Sequence, residues 1–104
     1  MTEKIVLIFD LDDTLLMSNE YNNYNDINFN KKLYDLLNLY NYDKYIYTNG
    51  TMGHAKNSIP KLLKDINIKY IYARDTIPSM KPQFSSFNHV NNDIFYKYRY
   101  KNYL

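Results

Sequence analysis

Residues Lys4 to Phe9 read Lys-Ile-Val-Leu-Ile-Phe and stop abruptly at Asp10-Leu-Asp-Asp-Thr14. A short, unbroken, β-branched-rich run without polar alternation is the profile of a central parallel strand covered on both faces. Parallel strands need crossover connections, so the rest of the chain has to supply helices. The tetrad Lys44-Tyr45-Ile46-Tyr47 recurs as Lys69-Tyr70-Ile71-Tyr72, each copy rich in β formers and preceded by a helix-like segment. These are read as two successive strands of a βαβ unit. The helix between them covers Lys61 to Asp65 and extends back toward His54 with a kink at Pro60; the alternative is a start capped by Ser58 with Pro60 in the first turn.

Phe29, Leu33, Leu36, Leu37 and Tyr40 fall at spacings of three and four, one face of an amphipathic helix for which Asn28 is the expected N-cap. The polar stretch Ser18 to Asp26 between the first strand and this helix reads as a loop. Beyond Pro82, Phe84, Phe87 and Val90 are expected on one side of a short helix. The segment Asp93 to Leu104 alternates Tyr with Lys and Arg as a half-exposed strand would. Alternating strands and helices with right-handed crossovers imply a three-layer, Rossmann-like α/β fold with a parallel sheet, formed by residues 1–104 as a single domain.

Composition narrows the function classes. Thirteen basic against eleven acidic residues leave a net charge of +2, too balanced to announce nucleic acid or a membrane as partner. The absence of Cys excludes disulfides and Cys-ligated zinc, and Asp10, Asp12 and Asp13 interrupt the one early apolar run that would otherwise suggest a signal or span. A cytoplasmic protein is expected. Thirteen Tyr and five Phe supply much of the apolar area, so many buried rings carry a hydroxyl that needs a partner. The mixture of Tyr and basic residues from Tyr96 to Tyr103 is read as a strand or tail of biased composition rather than a base-stacking surface.

Open α/β sheets bind ligands beyond the carboxyl ends of their strands, which directs attention to the residues just past each strand. The first strand delivers Asp10 and Asp12, two carboxylates that face the same way if the chain stays extended and that attract a hard cation such as Mg²⁺. The second delivers Thr48-Asn49-Gly50-Thr51, where a hydroxyl and backbone N–H groups can hold phosphate oxygens near a helix start. After the third comes Met80-Lys81-Pro82, a cation able to offset both the acidic pair and an incoming phosphate. Taken singly, an acidic turn, a T-N-G turn and a surface Lys-Pro are all common. Their order in one small α/β chain places four groups in one crevice.

In that arrangement the sequence resembles the haloacid dehalogenase (HAD) superfamily of phosphohydrolases. Ile5 to Leu16 resembles its first motif, Tyr45 to Gly50 its second and Met80 to Pro82 its third. Tyr47 to Ala55, with Tyr72 to Thr76 and Lys81-Pro82, is similar to the pyrimidine 5′-nucleotidase branch. The resemblance implies a Mg²⁺-dependent phosphatase with Asp10 as nucleophile and Asp12 as acid and base. Thr48 and Asn49 would hold phosphate, Lys81 would neutralise charge, and the metal would sit on the Asp10 carboxylate and the Asp12 carbonyl. The space from Thr14 to Thr48 admits one loop and one helix instead of a cap domain, so the substrate is a small phosphorylated molecule or a phosphorylated macromolecule reaching an open site. His54, just after the phosphate loop, is expected to start a helix and face solvent, and His89 to lie on the surface. Arg74 and Asp75 either shape the mouth of the site or form an exposed pair.

The family's fourth motif, an acidic pair after a further strand, is absent, and Lys101 to Leu104 reads as the opening of that strand. The resemblance therefore implies a core incomplete at its C-terminal end, with one edge of Ile5 to Phe9 bare unless residues 94–104, a longer gene product or a second copy of the chain covers it. Three functions remain open: a phosphomonoesterase, a binding or regulatory module of HAD type, and a truncated product.

Overall fold

A computed structural model describes residues 5–98. Its order is β1 (Val6–Phe9), α1 (Lys31–Asn38), β2 (Asp43–Tyr47), α2 (Met52–Leu63), β3 (Ile68–Tyr72) and α3 (Phe84–Tyr98). The strands form one parallel sheet in the order β1-β2-β3, with Phe9 opposite Ile46 and Tyr47 opposite Tyr72. This small α/β arrangement of three parallel strands and three helices is compatible with a Rossmann-like fold.

Each face of the sheet has its own core. On one side Ile46, Phe9 and Ile71 pack with Leu37 of α1 and with Ala55, Ile59, Leu62 and Leu63 of α2. On the other, Tyr45, Tyr47, Tyr72 and Val6 pack with Val90 and Ile94 of α3. The period of two along a strand explains the division, since Ile46 points one way and its neighbours Tyr45 and Tyr47 the other. The tyrosines of the second core keep their hydroxyls satisfied: Tyr47 bonds to Ser86 Oγ, and Tyr72 donates to Asp93 Oδ2 at 2.7 Å.

Both repeats of the Lys-Tyr-Ile-Tyr tetrad form strands, as expected. The first strand departs from expectation. Although its run is the most apolar of the three, β1 pairs only with β2 among the described residues and lies at an edge, with Ile8 40% exposed. The central place belongs to β2, where Ile46 is fully buried.

Helix boundaries also moved. Asn30 rather than Asn28 caps α1, its side chain accepting from the Leu33 N–H at 3.1 Å, and Leu36 and Tyr40 of the expected apolar face are exposed. The long form of the second helix is the one observed: α2 starts after the Thr51 cap and runs through Pro60, with Ser58 buried inside it and donating to the His54 carbonyl at 2.8 Å. It ends at Leu63, before Asp65, because Lys64 turns to a positive φ of 52°. The stretch read as a loop holds two short 3-10 turns, Ser18–Glu20 and Tyr24–Asp26, and the second is closed by Asn23 and Asp26 bonding across its start.

The largest correction is at α3. Residues 93–98, read as a strand, continue this helix, so the Tyr-basic alternation there has no period-two meaning. Its buried positions are Ser86, Val90 and Ile94, spaced by four, while Phe84 and Phe87 are exposed. Spacing alone allowed either stripe; contact with Tyr45, Tyr47 and Tyr72 selected the one that places Ser86 and Asp93 on tyrosine hydroxyls. The expectation for Lys101 to Leu104 lies outside the described residues. No helix among those described is long and apolar enough to cross a membrane.

Candidate active site

α1 and α2 cover one face of the sheet and α3 the other. Open α/β sheets bind ligands at the carboxyl end of their strands. Four sequence-predicted groups are found at that end. Asp10 and Asp12 follow β1, Thr48 follows β2, and Lys81 lies in the loop from β3 to α3.

Lys81 crosses the largest sequence distance. Its Nζ donates to the Tyr47 carbonyl at 2.8 Å, approaches Asp10 Oδ1 at 3.3 Å and lies 4.7 Å from the centre of the Tyr47 ring. Asn49 holds it there. The Asn49 side chain accepts from the Lys81 N–H and donates to the Lys81 carbonyl, each at 3.0 Å, a two-point clamp on the backbone. One Nδ2 hydrogen and the Oδ1 of that amide are engaged on Lys81, so the Asn49 side chain braces the loop that carries Lys81.

The Asp10 Oδ1 also accepts from the Leu11 N–H at 2.9 Å, and Thr14 Oγ1 lies 3.5 Å from Oδ2, near the outer limit of a hydrogen bond. The turn beyond is tight: the N–H groups of Leu15 and Leu16 both reach the Leu11 carbonyl, at 3.0 and 2.9 Å. Asp13 there has a φ of 59°, an energetically costly conformation for a non-glycine residue. Its side chain is anchored by the Ser18 N–H at 2.9 Å and the Ser18 hydroxyl at 2.8 Å, and these bonds hold its carboxyl below the usual pKa range.

Thr48 is 1% exposed and its Oγ1 accepts from the Gly50 N–H at 3.0 Å. Gly50 is where the two halves of the site meet. A Cβ at this position would stand 3.1 Å from Asp12 Oδ2 and 3.3 Å from both Thr48 Oγ1 and His54 Cδ2. A side chain here would press on all three, each of which would have to shift slightly, while the φ of Gly50 itself is not positive. The phosphate-loop backbone is tied to the end of β3 by the Thr48 N–H on the Tyr72 carbonyl and the Arg74 N–H on the Gly50 carbonyl, each at 2.9 Å. Asp75 accepts from the Met52 N–H at 2.8 Å, so its role is to cap the first turn of α2.

His54 corrects the expectation of a solvent-facing side chain. Its ring is 19% exposed, with Nε2 2.7 Å from Asp12 Oδ1 and Nδ1 2.9 Å from the Tyr24 hydroxyl. Its place in the first turn of α2 was legible, and helical side chains lean toward the N-terminus, here toward the site. What no local signal offered was Tyr24, from a turn read as loop. Tyr21 of the same segment is half-buried; burial raises its hydroxyl pKa first, and the negative charge of Asp12 adds to that. His89 is half-buried on α3.

Among the described residues, no three His, Asp or Glu side chains converge as a metal cluster. The donors that remain are one or two carboxylates. That set suits Mg²⁺, which keeps several waters and shares itself with a substrate phosphate, better than it suits a metal needing an all-protein cage. Searches of protein-family models, curated proteins and solved structures find no match to this chain.

Proposed function

We propose that the chain is a phosphohydrolase of HAD type that cleaves a phosphomonoester through an aspartyl-phosphate on Asp10. The observation that carries this reading is the contact of Lys81 with Asp10 across 71 residues of sequence, beside the Thr48 hydroxyl and the Asp12 carboxylate gathered around Gly50. Phosphoryl transfer needs positioning and charge compensation more than covalent assistance, and these four groups offer both.

An Asp10 oxygen attacks phosphorus and the ester P–O bond breaks. Asp12 gives its proton to the departing oxygen. In the second half, Asp12 takes a proton from water as that water attacks the aspartyl-phosphate, releasing inorganic phosphate and restoring Asp10. Thr48 and the backbone N–H of Asn49 bind phosphoryl oxygens, and Lys81 balances the charge that Asp10 and phosphate bring together. Mg²⁺ would be held by the Asp10 carboxylate and the Asp12 carbonyl oxygen, and when bound it supplies further neutralisation of the phosphoryl charge. The substrate is a small phosphorylated molecule, a nucleotide by the resemblance of residues 47–55, or a phosphorylated macromolecule.

A second reading, a HAD-type module that binds phosphate without turnover, draws on the want of a third carboxylate among the described residues. Hydrolysis of 4-nitrophenyl phosphate with and without Mg²⁺ separates the two. Magnesium-dependent turnover that falls at least about a thousandfold in Asp10→Asn is expected of the enzyme, since that variant removes the nucleophile. An inert wild type at every magnesium level leaves the binding module.

A further inference from the structure

We infer that His54 and Tyr24 are positioning residues that set Asp12 for proton transfer to the leaving group. The inference rests on the phosphohydrolase reading and goes beyond it by assigning work to two residues outside its four reacting groups.

Three segments meet on the Asp12 side chain. Asp12 comes from the turn after β1, His54 from the first turn of α2, and Tyr24 from the 3-10 turn closed by Asn23 and Asp26. The ring is engaged at both nitrogens, Nε2 at 2.7 Å from Asp12 Oδ1 and Nδ1 at 2.9 Å from the Tyr24 hydroxyl, so its orientation is fixed. In the tautomer that carries its proton on Nε2, the ring donates to Asp12 Oδ1 and accepts from Tyr24. His54 engages Oδ1, which leaves Oδ2, the oxygen 3.1 Å from where a Cβ on Gly50 would stand, as the one to carry the proton in the proposed transfer.

The anchoring is unlike that of an incidental surface pair. His54 is mostly buried while Asp12 is the more exposed partner, and the His54 backbone N–H is itself fixed by the Thr51 hydroxyl at 3.2 Å. The Tyr24 and His54 rings lie 5.6 Å apart. Tyr24 thus contributes packing as well as its hydrogen bond. Positioning of a proton donor matters only where the leaving group needs a proton, and this gives the inference a signature that general damage to the site would lack.

The test compares kcat/KM for two substrates with full-length wild type, His54→Ala, His54→Gln and Tyr24→Phe, each first checked for folding by circular dichroism. Ethyl phosphate has a poor leaving group that must be protonated; 2,4-dinitrophenyl phosphate has one that leaves unaided. His54→Ala is expected to lose about 100-fold on ethyl phosphate and less than about threefold on the dinitrophenyl ester. His54→Gln, whose amide can donate at the same reach, recovers a good part of the loss, and Tyr24→Phe shows the same substrate bias at about threefold. Equal losses on both substrates, or none, in a wild type that is active and dead as Asp10→Asn overturn the positioning role and leave the phosphohydrolase intact. A wild type inert toward both substrates sinks the phosphohydrolase and this inference together. Should His54→Ala not fold, the substrate bias of Tyr24→Phe decides alone.

Discussion

β1 and β2 lie side by side, and their burial runs against their composition. Val-Leu-Ile-Phe of β1 has no polar side chain, yet Ile8 is 40% exposed; Asp-Lys-Tyr-Ile-Tyr of β2 has two charges and two phenols, yet Lys44 through Tyr47 are all buried. The difference is one of neighbours. β2 has a strand on each side and helices over both faces, and its polar atoms find partners: Lys44 Nζ donates to the carbonyls of Tyr40 and Tyr42 at 2.7 and 3.1 Å, and Tyr47 meets Ser86. β1 has a strand on one side only among the described residues. Hydropathy states what a strand would gain from burial; the sheet order states how much of that gain is realised.

The sharpest way to break this comparison is to truncate one isoleucine in each strand. Ile46→Ala, at a fully buried site, is expected to cost about 2–5 kcal/mol, and Ile8→Ala below about 1 kcal/mol, by urea denaturation. Equal losses would mean that β1 is covered in solution by something beyond residues 5–98.

The second contrast is between the ends of the same strands. In the proposed reaction the aspartates after β1 do the chemistry, while Thr48 and Asn49 after β2 bind and brace. Asn49→Ala removes both bonds to the Lys81 backbone while leaving every reacting group in place, so kcat/KM for 4-nitrophenyl phosphate should fall about tenfold with little change in melting temperature. An unchanged rate would show that Tyr47 and Asp10 hold Lys81 without the clamp.

The smallest effect belongs to the turn after β1. Asp13 has its pKa lowered by the Ser18 bonds, so its contribution is present above the ordinary carboxylate pKa and is lost as pH falls through the lower value it has in the fold. Acid should therefore loosen the Asp13–Ser18 turn, and Asp13→Asn should flatten the low-pH limb of a melting-temperature profile. A limb unaltered in that variant would leave the turn without a share in acid sensitivity.

The parallel strands and the order of the reactive residues were legible because both are local: a β-rich tetrad forms the same strand twice, and strand ends announce themselves where apolar runs meet Asp or Thr. The face of α3 was not, because Phe84, Phe87 and Val90 satisfy the same spacing as Ser86, Val90 and Ile94. Only the tyrosine hydroxyls waiting on the sheet distinguish them, by offering Ser86 and Asp93 partners that phenylalanine cannot use. The cap of α1 moved two residues for a similar reason, since the Asn30 N–H is held by the Leu62 carbonyl of α2 at 2.9 Å.

Residue order and short-range pattern were enough to make this an alternating α/β chain with Asp10, Asp12, Thr48 and Lys81 at the ends of its connections. Packing alone decided that β1 lies at the edge among the described residues, that Asn49 grips Lys81, and that His54 turns inward onto Asp12 with Tyr24 behind it. Those contacts join segments 30 to 42 residues apart. Their partners are chosen by which surfaces the sheet and helices bring together, and nothing in the near neighbours of either residue carries that choice.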